Sequence, residues 1–269
     1  MSPPDAPPFE FTLSAASLRD HREEMLLRPE LRDTTLDLTC FVSCYNEAGF
    51  IVQTLDDITG ALRELGLSFE IIVVDDCSND DSVERVRAYI AAHPDERVIL
   101  RRNLVNRGLA QNYIDTAFLG KGRHYKLFCG DNTEPPASIA RICSHIGKAD
   151  IIIPHYVSVE GKSGARKLLS RAYTALVNLV SGNAVPYYNG LAIHLRHNIM
   201  RWHPNTRGFG FQADIICMLL DQGASYVEVD VEAVNRTESG ALTLKNILSV
   251  AHTLIDVLIR RLARGFYGR

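Results

Sequence analysis

The 269-residue sequence contains no run of 18 or more apolar residues, so it predicts no membrane-crossing helix. It has no glycine-rich phosphate loop, neither GxGxxG nor GxxxxGK followed by Ser or Thr. A nucleotide bound by this chain therefore needs its diphosphate neutralised by a metal and basic side chains. A basic excess is also missing. There are 29 Lys and Arg against 32 Asp and Glu, a net charge of −3, which argues against a nucleic-acid partner. The six cysteines form no CxxC pair and no Cys/His zinc spacing, and most sit in apolar runs. They read as small buried hydrophobes in a reducing compartment. The first residues, MSPPDAPPFEF, carry neither a basic segment nor an apolar one, so no secretory signal is expected and a cytoplasmic location is. With 23% charged and 46% hydrophobic residues, wholesale disorder is excluded. The length fits one large α/β domain or two small ones.

What is present is a regular alternation from Leu38 onward. Short β-rich runs at Leu38–Ser43, Phe69–Asp75, Arg97–Leu100, Tyr125–Cys129 and Ile151–Pro154 alternate with amphipathic segments at Gly49–Leu65, Asp80–Ala92, Gly108–Leu119 and Pro136–Ile146. Such alternation implies βαβ units and a mostly parallel sheet. The run IIVVDD is almost wholly apolar, as a strand buried on both faces must be. After Pro154 the rhythm changes. A polar loop at Ser158–Ala165 leads to a helix near Arg166–Val180 and a loop of small and aromatic residues at Ser181–Gly190. A short helical segment, a helix near Phe211–Gln222, a strand near Tyr226–Val231 and a long C-terminal helix follow. Residues 1–37 read as an N-terminal extension with a helical pattern over 14–37, residues 38–242 as the domain, and 243–269 as an amphipathic helix.

In open α/β sheets ligands sit at the carboxyl ends of the strands. Those ends read Ser43-Cys44-Tyr45-Asn46-Glu47, Asp75-Asp76-Cys77-Ser78-Asn79-Asp80 and Gly130-Asp131-Asn132-Thr133-Glu134-Pro135-Pro136. Carboxylates there can accept from a base N–H or from ribose hydroxyls, and can hold a hard divalent cation. Each cluster alone is also ordinary turn and cap chemistry. Three in succession point to one acidic cleft.

These residues resemble family 2 glycosyltransferases with the GT-A fold, and among them the dolichyl- or polyprenyl-phosphate mannosyl- and glucosyltransferase branch. Tyr45-Asn46-Glu47 resembles the first-strand Tyr-Asn-Glu motif, Val74–Asp80 the Val-Asp-Asp-Gly-Ser-x-Asp motif, and Asn106–Ala110 the Asn-x-Gly-x-x-x-Ala helix start. Phe128–Pro136 occupies the place of the Asp-x-Asp metal motif. Arg166–Arg171 lies where the branch has a basic helix, and Gly208–Asp214 resembles its Gly-aromatic-x-Phe-Gln-x-Glu segment. Glu228–Val231 with Arg236, Ser239 and Gly240 resembles its Glu-Val-Pro-Ile…Arg…Gly-Glu-Ser-Lys stretch.

The resemblance implies an inverting transfer of a sugar from UDP or GDP, assisted by Mg²⁺ or Mn²⁺ acting as a Lewis acid on the leaving diphosphate. On that basis Asp131 and Glu134 are the expected metal ligands. Tyr45, Asn46, Glu47, Asp76, Asn106, Gly108 and Asn132 are expected at the nucleotide sugar, and Arg236 as a diphosphate clamp. Arg166, Lys167, Arg171, Tyr188, Asn189 and Gln212 are expected at the acceptor. A lipid phosphate is anionic at pH 7 and needs no general base. A hydroxyl acceptor needs one, and Asp214 is then the expected base.

The sequence departs from the pattern in three places. Cys129 replaces the first Asp of Asp-x-Asp, Cys77 replaces the motif glycine, and Tyr187-Tyr188-Asn189-Gly190 replaces an Asp-x-Ser/Thr-Gly loop. The donor sugar and the choice between guanine and uracil stay open. So do two alternatives, a hydroxyl acceptor and a non-catalytic nucleotide-sugar-binding protein.

From Thr243, Lys245, Ser249, Thr253, Asp256 and Arg260 recur at helical spacing opposite Ile247, Ala251, Leu254, Leu258 and Leu262, a face broadened by Leu248, Ile255 and Ile259. No acid follows Asp256, whereas Arg260, Arg261, Arg264 and Arg269 do. Such a helix is expected either at the inner membrane surface or docked on protein, its own domain or a second copy in a homo-oligomer.

Overall fold

The computed structural model describes residues 10–12, 36–160, 164–202, 210–234, 236 and 244–267. Eight strands form one sheet in the order β1-β4-β3-β2-β5-β7-β6-β8. They are β1 (Glu10–Thr12), β2 (Leu36–Cys44), β3 (Phe69–Asp75), β4 (Val98–Arg102), β5 (Gly122–Cys129), β6 (Ile151–Glu160), β7 (Ile193–Leu195) and β8 (Tyr226–Val234). All neighbours pair parallel except β7, which runs antiparallel to both β5 and β6. The described helices are α1 (Ile51–Glu64), α2 (Ser82–Ala92), α3 (Leu109–Leu119), α4 (Pro136–Cys143), α5 (Gly164–Ser181), α6 (Arg196–Arg201), α7 (Phe211–Asp221) and α8 (Leu244–Tyr267).

Alternation along the central strands divides the apolar residues between two faces. Phe41, Ile72, Val74, Tyr125 and Leu127 pack with Tyr113, Trp202 and Phe211 on one side. Cys40, Val42, Ile71, Val73 and Phe128 pack with Ile51, Leu55, Ile58 and Leu62 of α1 on the other. The α1 residues recur at intervals of three and four, which turns one stripe of the helix onto the sheet. α4 begins with Pro136, whose fixed φ suits a first helical turn and whose missing N–H is not needed there.

The chain lays down β2, β3 and β4 in one direction and then crosses to place β5 on the other side of β2. The β2/β5 boundary is the switch point at which doubly wound sheets leave a crevice.

Three sequence expectations need correction. Ile151–Pro154 is not the whole strand. β6 runs on to Glu160 because β8 pairs with it throughout, so part of the expected 158–165 loop is strand. β7 was not foreseen, being three residues held between two longer neighbours. The N-terminal extension contributes an edge strand, β1, which pairs with β4. The helix expected over 14–37 lies outside the described residues up to 35, and 36–37 open β2.

Candidate active site

The β2, β3 and β5 ends are joined by backbone bonds. Asp76 N–H donates to Cys44 C=O at 2.8 Å and Gly130 N–H to Ser43 C=O at 2.9 Å. The loops after β2 and β3 are interlocked. Asn46 N–H donates to Ser78 Oγ, Asn79 N–H to Asn46 Oδ1, Glu47 N–H to Ser82 Oγ and Ala48 N–H to Asp80 Oδ2, all within 2.8–3.0 Å. Asn46, Cys77 and Asn132 all hold positive φ, at 59°, 70° and 54°. Strained non-glycine backbone of this kind concentrates at functional sites. Cys77 keeps the left-handed conformation that a motif glycine would adopt freely.

Asp76 is buried and accepts from Asn103 Nδ2 at 2.8 Å, Arg107 N–H at 2.8 Å and Gly108 N–H at 2.9 Å. Asn106 Nδ2 donates to the Asp76 carbonyl at 3.2 Å. The expected nucleotide ligand is thus also the anchor of the 103–108 loop, and it leaves Gly108, φ 82°, to open α3. Tyr45, just beyond β2, is 52% exposed and free to meet a base. Asn132 is buried. Its Nδ2 donates to Asp57 at 2.7 Å, so it ties the β5 loop to α1. Arg236 reaches that loop, with Nε 3.5 Å from Asn132 C=O and its guanidinium 5.6 Å from the Phe50 ring centre.

Asp131 accepts from Thr133 Oγ1. Across the switch point Glu47 packs beside Gly130, where an added Cβ would lie 2.7 Å from Ser43 C=O and 3.1 Å from Glu47 Cγ. Burial first, then the charges of Asp131 and Asp80, push the Glu47 carboxyl up to about 7. Acids crowded in this way gain from a cation between them.

Glu134, the second expected metal ligand, is turned elsewhere. Lys126 Nζ lies 3.0 Å from it, Tyr156 Oη donates to it at 2.7 Å, and the Lys126–Glu134 pair is buried in the sheet. Burial, and then the charges of Asp131 and Glu134, hold the Cys129 thiol well above the usual range. Among the described residues no three His, Cys, Asp or Glu side chains gather to cage a metal alone. A cation shared with diphosphate oxygens needs only one or two carboxylates. Asp131 and Glu47 fit that lesser requirement.

The expected acceptor residues separate. Lys167 and Arg171, one turn apart on α5, line a cavity of about 220 Å³ with Ser170, Thr174, His155, Tyr156, Pro186 and Tyr187. Arg166 is not among its lining residues and is half-buried. Tyr188 is fully buried, its hydroxyl donating to Asn178 Oδ1 at 2.7 Å, so the aromatic that faces the cavity is Tyr187 instead. Asn189 is exposed. Gln212 is buried with neither amide atom partnered among the described residues.

Asp214, the expected base, is buried. It accepts from Trp202 Nε1 at 2.8 Å and pairs with Arg260 of α8. It docks α8 through that pair.

α8 docks through Thr253, Val257 and Arg260. Thr253 and Val257 are buried and Arg260 reaches Asp214, while Ile255, Leu258, Ile259, Leu262 and Phe266 are exposed. Arg261 Nη1 donates to the Leu179 and Val180 carbonyls at the end of α5, at 2.8 and 2.9 Å. Leu168, Leu169, Leu176 and Leu179 extend the exposed apolar surface along α5. No described helix is long and apolar enough to cross a membrane. Gly208, Phe209, Ser239 and Gly240, with the side chains of Lys245, Ser249, Ile247, Leu248, Arg264 and Arg269, lie outside the described residues.

Sequence missed the Lys126–Glu134–Tyr156 link and His155. A lone lysine inside the apolar run YKLFC was the available signal for the first.

The family described as Glycosyl transferase family 2 matches residues 39–211. The chain is 31% identical over 141 residues to the succinoglycan biosynthesis protein ExoO of Rhizobium meliloti, covering 51% of this chain and 38% of that protein. It is 24% identical over 170 residues to an undecaprenyl-phosphate 4-deoxy-4-formamido-L-arabinose transferase of Pectobacterium atrosepticum, covering 62% and 51%. The matches thus span about half or less of these relatives. In fold it resembles glucosyl-3-phosphoglycerate synthase of Mycobacterium tuberculosis, solved with Mn²⁺, UDP and phosphoglyceric acid. The TM-score is 0.62 at 16% identity, over 95% of this chain and 87% of that one. The same enzyme with Mg²⁺ and UDP gives a TM-score of 0.60 at 14% identity, over 94% and 85%.

Proposed function

The chain belongs to glycosyl transferase family 2, and from that premise we propose that it moves a sugar from UDP or GDP to a phosphate-bearing acceptor of the polyprenyl-phosphate type. The observation that carries the acceptor class is the pairing of Lys167 and Arg171 on one wall of a cavity lined also by Tyr156, whose hydroxyl reaches Glu134 of the β5 loop. Two cations one turn apart suit a phosphate. Asp214 is committed to Trp202 and Arg260, which disfavours the hydroxyl-acceptor reading that needs it as base.

An acceptor phosphate oxygen attacks the anomeric carbon. The bond from that carbon to the diphosphate oxygen breaks, its electron pair leaves with the nucleoside diphosphate, and the configuration inverts. The attacking group is already anionic, so no proton has to be removed. Tyr45 meets the base and Asp76 holds the 103–108 loop against the nucleotide. Arg236, just beyond β8 and reaching Asn132 of the β5 loop, clamps the diphosphate. Mg²⁺ or Mn²⁺ held by Asp131, with Glu47 opposite, would stabilise charge on the leaving diphosphate.

The outward apolar faces of α5 and α8 support attachment to a membrane surface, on the same helix that carries Lys167 and Arg171. The relative named for an undecaprenyl-phosphate substrate supports the lipid class. Incubation with labelled UDP- and GDP-sugars, Mn²⁺ and undecaprenyl phosphate tests the reading. Label entering the lipid phase with release of nucleoside diphosphate is expected. Transfer to hydroxyl acceptors alone, or tight nucleotide binding without turnover, would overturn it.

A further inference from the structure

His155 lies on β6 in register with Asp230 of β8, and its Nδ1 is 2.8 Å from Asp230 Oδ1. The carboxylate accepts the Nδ1 proton, which fixes the ring and leaves Nε2 as the nitrogen open to other partners. His155 lines the same cavity as Lys167 and Arg171, and its ring centre is 6.2 Å from that of Tyr187. Asp230 stands where the resembling Glu-Val-Pro-Ile motif has proline, so the sequence supplies an imidazole partner in place of a residue without a charge.

We propose that His155, oriented by Asp230, is a third phosphate-contacting residue of the acceptor cavity and makes acceptor binding depend on its own protonation. The proposal rests on the phosphate-acceptor reading and deepens it. Neutral His155 presents a lone pair at Nε2, which repels a phosphate oxygen. The imidazolium presents an N–H there and donates. The charged groups that face the ring's surroundings are Asp230 and Glu228 of β8 and Lys167 and Arg171 of α5. Tyr156 and Tyr187 complete the surroundings as neutral phenols. A bound phosphate offsets the two cations, so the ligand and the proton on His155 favour each other. The device suits a terminal phosphate and disfavours a neutral hydroxyl compound, which gains nothing from a third cation.

The test uses octyl phosphate as the probe and the full chain as the protein. Its dissociation constant is measured at pH 6 and pH 8 for wild type, His155→Gln, Asp230→Asn and Lys167→Ala/Arg171→Ala. The His155 Cε1–H resonance is followed over the same range with and without probe. Comparison with His155→Gln cancels the ionisation of the probe itself. Wild type is expected to gain about tenfold in affinity at pH 6 relative to His155→Gln and to lose that advantage by pH 8, which corresponds to a shift of about one unit in the titration of the ring. The His155 resonance is expected to titrate at higher pH when probe is bound. Equal pH dependence in wild type and His155→Gln, with binding still dependent on Lys167 and Arg171, would overturn the role of His155 and leave the phosphate reading standing. Binding indifferent to Lys167 and Arg171 would overturn both.

Discussion

Asp76 accepts the backbone N–H of Gly108 at 2.9 Å, and through that bond the end of β3 holds the start of α3. With the bonds from Arg107 N–H and Asn103 Nδ2, three donors converge on one buried carboxylate. Asp76→Asn turns one acceptor into a donor facing a backbone N–H. The expected loss is about 1–3 kcal/mol in a urea titration, the cost of a buried unmatched polar group. On the proposed function, nucleotide affinity by calorimetry falls with it, because the 103–108 loop is no longer held.

Cys77 carries φ 70° at the turn after β3, a conformation that costs a residue with a Cβ about 1–2 kcal/mol. Cys77→Gly is expected to stabilise the chain by about 1 kcal/mol. For a domain of this size that raises the melting temperature by about 2–4 °C. A lowered melting temperature would show that the Cys77 thiol, 3.7 Å from Leu104 C=O, contributes more than the strain removes.

Lys126 and Glu134 are buried together, and removing either alone leaves a buried charge. Glu134→Gln and Lys126→Met are each expected to cost about 3–5 kcal/mol, and the double variant less than their sum. Mn²⁺-dependent turnover of the folded Glu134→Gln fraction should persist, whereas Asp131→Ala should abolish turnover without a comparable loss of stability. The two acids of one loop are thereby told apart.

His194 on β7 is wholly buried, and burial, reinforced by Lys126, lowers its ring to about 3 from an ordinary value of 6.5. Between those values the unfolded chain binds a proton that the folded chain does not, so stability rises with pH across the window. The His194 contribution is complete above about pH 6.5. It falls by at most about 1.4 kcal/mol per pH unit as the pH drops toward 3. Replacement by Phe should flatten this part of the acid limb in a series of thermal melts.

The parallel half of the sheet was legible because period-two apolar runs and helical stripes are local signals, and Leu38–Cys129 carries them without interruption. The strand ends followed from topology, which is why Glu47, Asp76 and Asp131 were found together. Side-chain direction is not local. Glu134 and Asp131 stand three positions apart on one loop, yet one faces Lys126 inside the sheet and the other the switch point. Tyr187 and Tyr188 are neighbours, and only the backbone of the 181–190 loop decides which one enters the core. The pairing of Asp214 with Arg260, 46 residues away, is invisible to a reading along the chain. The C-terminal helix was identified, but which of its faces meets the protein depended on Gly210 admitting Thr253, where an added Cβ would lie 2.0 Å from the Thr253 hydroxyl.

The central claim is that Lys167 and Arg171 receive an acceptor phosphate. Steady-state transfer to a water-soluble short-chain polyprenyl phosphate, for wild type and the Lys167→Ala/Arg171→Ala variant, tests it most directly. The predicted result is an acceptor KM raised at least tenfold with the KM for the nucleotide sugar unchanged, consistent with loss of one or two charge-assisted hydrogen bonds. An unchanged acceptor KM, or a variant that loses nucleotide-sugar binding instead, would contradict it.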